Sequence, residues 1–241
     1  MVDHVAVERS VHEAADGDPA RLPQRLCEVL RDTVSMDAAT LSLFTDTPHR
    51  QLLCATSEAG LRLEKLQFGL GEGPCVTAAQ TGAEVIVNDL RQDLSSWPLF
   101  GPCAQEQLAD VGTIYAFPLR VDARRTLGAV DLLCHQPLAL DPDIIEKGAI
   151  AARAASFALL SAYQATMDWG GLPPWEPEDI LDSYWGPTHA AVGLLVGELD
   201  ITDEEALARM RARAFGSGRS LPDIAHEVIV DPSRWADDLE R

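Results

Sequence analysis

Lysine is nearly absent from this 241-residue chain, which carries only Lys65 and Lys147. Basic residues number 19 against 38 acidic ones, giving a formal net charge of −19. Phosphate binding draws on local positive charge, so this balance excludes a protein that coats nucleic acid or anionic membrane with its whole surface. Any such contact has to be local. Cysteine is scarce and odd in number: Cys27, Cys54, Cys75, Cys103 and Cys134 lie on separate stretches, with no close pair of the zinc-ribbon or redox-dithiol kind. The six histidines are equally scattered. This pattern assigns no metal and no cofactor, and free thiols fit a reducing compartment. Long apolar runs are missing too. Residues 1–20 mix acidic, basic and histidine side chains with no apolar leader, and the most apolar stretch outside the strands, Ala149 to Ala165, is interrupted by Arg153. A bilayer span needs about 20 predominantly apolar residues, so a cytoplasmic protein without membrane contact is expected.

What is present is enough apolar residue, 46% of the chain, to build real cores. One breaker divides it. The stretch from Asp168 to Pro177 holds two glycines and three prolines, which deny it both helix continuity and sheet pairing. The reading is an N-terminal extension over 1–20, a first domain over 21–167, a linker over 168–177 and a second domain over 178–241.

The first domain alternates helical and strand patterns. Leu22, Leu26, Val29 and Leu30 fall at helical spacing within 21–35, and strands are expected at Thr40 to Phe44 and Leu52 to Ala55 around a turn at Thr47 and Pro48. Further strands are expected at Val85 to Val87, Thr113 to Leu119 and Leu127 to Cys134, with a helix near Phe100 to Leu108. A long Ala-rich helix from about Pro142 to Met167, capped by Asp141, closes the block. The fold class is α+β, with a mostly antiparallel sheet flanked by helices. The second domain reads as all-α with three helices. Thr202 and Glu205 have capping-box spacing ahead of the apolar positions Ala206, Leu207, Met210 and Ala214, and Gly216 to Gly218 ends that helix. Ser220 can cap another, with Leu221, Ile224, Ala225 and Val228 on one face. The helix before both, roughly Thr188 to Leu199, is apolar on two seams, Ala191/Leu194/Leu195 and Val192/Val196/Leu199, so a second copy of the chain is a candidate partner.

The run Gln67-Phe-Gly-Leu-Gly-Glu-Gly-Pro-Cys75, followed by Val87-Asn-Asp-Leu90, Trp97-Pro98, Phe117-Pro-Leu119 and Leu127-Gly-Ala-Val130, resembles the GAF domains of actinobacterial regulators. The segment from Ala191 to Val230 resembles the ANTAR domain, through Ala191-Val-Gly-Leu-Leu-Val196, Leu199-Asp-Ile-Thr202, Glu205-Ala-Leu207, Ala214, Arg219, Leu221 and Asp223-Ile-Ala225. Together these imply a homodimeric transcription antitermination regulator whose GAF domain senses a signal, such as a small molecule. Its ANTAR domain would bind tandem stem-loops in nascent RNA, with no catalysis. Two positions depart from the pattern: Val192 stands where a basic or polar residue is common, and Pro187 interrupts what is usually a continuous helix.

The RNA-contact candidates are Arg209, Arg211, Arg213 and Arg219, the only arginines or lysines between Gly171 and Asp231. From Gly171 onward, six arginines face 15 carboxylates, a net of −9 that leaves −10 for the residues before it. At 100° per residue Arg209 and Arg213 share one flank of the apolar stripe and Arg211 lies on the other. Glu205 and Arg209 also form a favourable i, i+4 pair, which accounts for Arg209 without RNA. For a ligand pocket in the first domain, Cys75, Asp89, Trp97, Phe100 and Tyr115 are the candidate wall residues, each equally suited to a plain core. Gly69, Gly71 and Gly73 end in Gly-Pro-Cys and not in the Gly-Lys-Ser/Thr of a phosphate loop, so they are read as turning the chain into a helix near Pro74. The Asn-Lys-x-Phe-Asp-Glu signature of cyclic-nucleotide GAF domains is missing, which leaves the ligand unassigned. Two alternatives stay open: a GAF-type thiol reductase using Cys75, with Cys103 the next cysteine along the chain, or a degenerate ANTAR unit serving dimerisation or protein interaction.

Overall fold

The computed structural model describes residues 2–44, 50–92, 94–123, 125–167, 175, 182–232 and 235. Helix α1 (His4–Ala15) is capped by the Asp3 carboxylate and buries Val7 and Val11. A 3-10 turn leads into α2 (Leu22–Thr33), whose buried stripe of Leu22, Leu26 and Leu30 follows the helical period. Strands β1 (Ala38–Phe44) and β2 (Arg50–Ala55) come next. Helix α3 (Glu58–Leu70) then ends at Gly71, whose φ of 68° is the left-handed conformation that glycine adopts without strain. Helix α4 (Pro74–Thr81) has proline at its first position, where no N–H is needed. Then follow β3 (Val85–Val87), α5 (Phe100–Gln107), β4 (Thr113–Arg120) and β5 (Thr126–Cys134). Helix α6 (Pro142–Met167) closes the first unit, with the Asp141 carboxylate accepting from the Asp143 amide at 2.9 Å.

The five strands form one sheet in the order β2-β1-β5-β4-β3, every neighbouring pair antiparallel. Side chains alternate between its faces. On β4, Tyr115 and Phe117 join the core shared with α1, α2 and α6, whereas Ile114 and Ala116 face α3, α4 and α5. In β2 the register slips: Leu41 pairs with Cys54 and Ser42 with Leu52, leaving Leu53 as an extra residue. Such a bulge re-aims the side chains beyond it. Here Cys54 joins the α2 side while Leu52 and Arg50 reach the α3 side.

The strand and helix expectations hold for the first unit, and α1 adds a helix where only an extension was expected. No element was expected over 58–70, yet α3 lies there. The Thr47 to Pro48 turn and most of the 168–177 linker fall outside the described residues. From that linker Trp175 is buried in the core of α2 and α6.

The second unit is α7 (Asp182–Leu199), α8 (Asp203–Ser217) and α9 (Leu221–Val230). Its core comprises Ala191, Val192, Leu195, Ala206, Leu207, Met210, Ala214, Leu221, Ile224, Ala225 and Val228, so the stripes read from α8 and α9 are correct. Three details differ. Helix α7 opens before Thr188 and runs through Pro187, an interior position where proline costs about 3 kcal/mol; Trp185, two residues earlier, is buried with its ring 5.8 Å from that of Phe68. The two seams on α7 merge into one buried stripe, and Leu194 is left 42% exposed. The full capping box is at Ser220 and Asp223; at Thr202 the hydroxyl caps the Glu205 amide, while the Glu205 carboxylate turns forward to Arg209.

Candidate functional site

Beneath α3, the helix side of the sheet holds a polar cluster instead of an apolar core. Thr40 and Ser42 of β1, Arg50 of β2, Glu64 and Gln67 of α3, Cys75 of α4 and Asp131 of β5 are all buried there. The Glu64 carboxylate accepts from Thr40 Oγ1 at 2.5 Å, from Ser42 Oγ at 2.8 Å and from the Arg50 guanidinium. Arg50 Nη2 also donates to Cys75 Sγ at 3.2 Å, and the guanidinium lies 5.0 Å from the centre of the Phe44 ring. Gln67 bridges the rest: its Nε2 donates to Asp131 Oδ2 at 2.6 Å and its Oε1 accepts from the Cys75 amide at 2.8 Å. Gly73 makes this possible. At φ 132°, a Cβ on it would stand 2.6 Å from Gln67 Oε1.

Burying charge shifts its titration. Burial, and then the neighbouring Glu64 charge, pushes Asp131 from its ordinary 3.8 to about 8. Burial also raises the Cys75 thiol well above its ordinary value, and the Arg50 charge only partly opposes this. The Glu64 and Arg50 side chains are 0% and 4% exposed, so their ion pair is fully desolvated.

Of the expected pocket residues, Cys75 is a member of this cluster. Phe100 lies on the same side of the sheet, in the core with Leu63 and Leu90, and Trp97 packs edge-on against it at 5.9 Å while donating to Thr77 Oγ1 at 2.9 Å. Glu72, from the glycine-rich run, accepts from the Leu99 and Phe100 amides at 2.8 and 3.1 Å and so caps α5. Asp89 pairs with Arg91 at 2.9 Å near the surface. Tyr115 does not join them: strand alternation puts it on the opposite face, stacked on Phe117 at 6.3 Å. Sequence reasoning missed Arg50, Glu64, Gln67 and Asp131. The available signal was their charge and polarity inside otherwise apolar elements.

The four arginines expected to contact RNA are all engaged. Arg209 pairs with Glu205 one turn away. Arg213 and Arg219 converge on Glu227 at 2.9 and 2.6 Å and hold its carboxyl below the usual range, Arg219 contributing most. Arg213 also sits over the Trp235 ring at 4.9 Å. Arg211 crosses to the first unit, where Nε and Nη2 donate to the Phe68 carbonyl at 3.0 and 2.8 Å and the guanidinium lies 5.6 Å from the Phe68 ring centre. A Cβ on Gly71 would stand 2.8 Å from Arg211 Nη1, so the left-handed glycine at the end of α3 also makes room for this contact. Leu52 and Phe68 complete the apolar seam between the units.

Residues 17–160 match the family model of the GAF domain. The chain belongs to the GAF domain family. The GAF domain is a sensor domain of diverse signalling proteins, and its sheet with flanking helices is the fold seen here. Among solved structures, the GAF domain of a phosphoenolpyruvate-protein phosphotransferase from Coxiella burnetii is similar at 13% identity and a TM-score of 0.52, covering 69% of this chain and 97% of that one. The free methionine-R-sulfoxide reductase from Neisseria meningitidis is similar at 17% identity and a TM-score of 0.47, covering 68% and 95%. No curated protein matches. Among the described residues, no helix is long and apolar enough to cross a membrane.

Proposed function

We propose that this GAF protein is an RNA-binding regulator of transcription antitermination, with α7, α8 and α9 as its ANTAR-type output. The observation that carries this reading is the core of those helices. Ala191, Leu195, Ala206, Leu207, Ala214, Leu221, Ile224 and Ala225 are buried in it, and each is a position at which the sequence resembles ANTAR. That packing leaves the arginines on the outer flanks of α8 and in the turn after it. Affinity for RNA would come from this local cationic strip, since the chain as a whole repels phosphate.

The docked arrangement supports control by masking. Arg211 is held by the GAF domain, and Glu227 occupies Arg213 and Arg219 in place of a phosphate. Arg211 grips the last turn of α3, and Glu64 and Gln67 of the buried cluster lie on the same helix within four residues of Phe68. A cue that moves α3 would therefore loosen the dock, and the output would be released to bind tandem stem-loops.

RNA recovered from cell extract on the full chain tests this, with a chain ending at Met167 as the control. Structured RNA enriched only by the full chain is expected, and its absence would sink the reading. Arg209→Ala with Arg213→Ala should weaken binding and flatten its salt dependence, each lost phosphate contact lowering the slope by about 0.7 to 0.9. Glu227→Gln should act in reverse, freeing Arg213 and Arg219 and raising affinity several-fold at low salt; unchanged affinity in both variants would remove these arginines from the RNA face.

A second reading, an output that serves dimerisation or protein interaction, draws on the apolar side chains it exposes: Leu194, Phe215 at 56% and Val230 at 71%. Sedimentation of Leu194→Glu against the parent distinguishes it, because loss of a dimer with RNA binding intact separates the two roles. The thiol-reductase reading has less support, since a buried thiol with a raised pKa is a poor nucleophile at neutral pH.

A further inference from the structure

The buried cluster has an unequal charge count. One guanidinium, Arg50, faces the Glu64 and Asp131 carboxyls and the Cys75 thiol. Fully ionised, these acids outnumber the arginine by two charges. One ligand atom from each, the thiol sulfur and a carboxylate oxygen of Glu64 and of Asp131, lie within 4.8 Å of one another, and all three residues are completely buried. A second observation points to a missing group at the same place. Asp131 Oδ1 is buried and receives no hydrogen bond, while Oδ2 is held by Gln67.

We propose that Glu64, Cys75 and Asp131 bind one divalent transition-metal cation inside the GAF domain. The donor set selects the class of ion. A thiolate disfavours calcium and magnesium, which take oxygen ligands, and two hard carboxylates beside it suit zinc, iron(II) or cobalt(II). Bond lengths of about 2.0 Å to oxygen and 2.3 Å to sulfur place ligand atoms roughly 3.5 Å apart, so a contraction of about 1 Å closes the site. The partners that would orient the ligands are already present: Thr40 and Ser42 on Glu64, and Gln67 spanning Asp131 and the Cys75 amide. Charge balances as well. The dication enters, the Asp131 carboxyl and the Cys75 thiol each release a proton, and the neutral cluster becomes a neutral complex. This inference stands whether or not the output binds RNA.

Cobalt(II) titrated into the chelator-stripped full-length protein tests it. A single equivalent should bind with a sulfur-to-cobalt charge-transfer band in the near ultraviolet, and zinc should displace it. Cys75→Ser should abolish that band, Asp131→Asn should weaken binding at least tenfold, and Cys103→Ser, outside the cluster, should change neither. If Cys75→Ser fails to fold, the calorimetric affinity of Asp131→Asn decides. No stoichiometric binding by the parent, a band that survives in Cys75→Ser, or full affinity in Asp131→Asn would overturn the site.

Discussion

Two arginine–glutamate pairs in this molecule look alike on paper and differ in everything that matters. Arg50–Glu64 sits inside the GAF domain with both side chains nearly inaccessible. Arg209–Glu205 lies along α8 with side chains 28% and 48% exposed. The first cannot exchange its partner for water, so removing one member strands a buried charge. The second can, so it is held weakly. The same chemistry thus serves as an internal constraint in the GAF domain and as an exchangeable surface pair in the second unit.

Arg50→Ala should break this comparison most visibly. It leaves Glu64 buried without its counter-charge, and the expected loss is about 3 to 5 kcal/mol of unfolding free energy, measured by denaturant titration. A loss under about 1 kcal/mol would mean that the cluster is hydrated. Asp131→Asn should have the next largest effect, in the opposite direction. Asp131 is protonated in the folded protein up to about pH 8, while in the unfolded chain it ionises near its ordinary 3.8. The folded state therefore holds the extra proton between those values, and stability falls as pH rises through that window. Asparagine cannot ionise, so with chelator present the melting temperature of Asp131→Asn should exceed that of the parent by a margin that opens above about pH 4 and is complete above about pH 8. A margin independent of pH would place the proton elsewhere. The smallest effect belongs to Arg209→Ala, an exposed i, i+4 pair contributing about 0.3 to 0.5 kcal/mol; thermal unfolding of the second unit should barely move.

Most of the fold was legible because periodicity is local. Leu22, Leu26 and Leu30 mark α2, and Met210 with Ala214 and Ile224 with Val228 mark the inner faces of α8 and α9. Helix α3 was not legible, because Gly60 lowers its helical propensity and Glu64 and Gln67 interrupt its buried stripe with polar side chains. These are the residues that serve the cluster, so the feature that hid the helix is the one that makes it useful. Tyr115 was misplaced for a simpler reason: alternation says that neighbours on β4 face opposite ways, and only packing says which face is which. Pro187 lies inside α7, and the stretch joining that helix to α6 falls mostly outside the described residues.

The sequence by itself determined the α+β alternation and the apolar stripes of α8 and α9, since each is written in neighbours a few residues apart, and the shortage of positive charge, which is composition alone. Only the tertiary structure decided that Thr40, Arg50, Glu64, Gln67, Cys75 and Asp131 meet, and that Arg211 reaches the Phe68 carbonyl. Those contacts join residues up to 143 positions apart. A β2 bulge, strand alternation and helix docking create them, and none of these leaves a spacing that a one-dimensional pattern can carry.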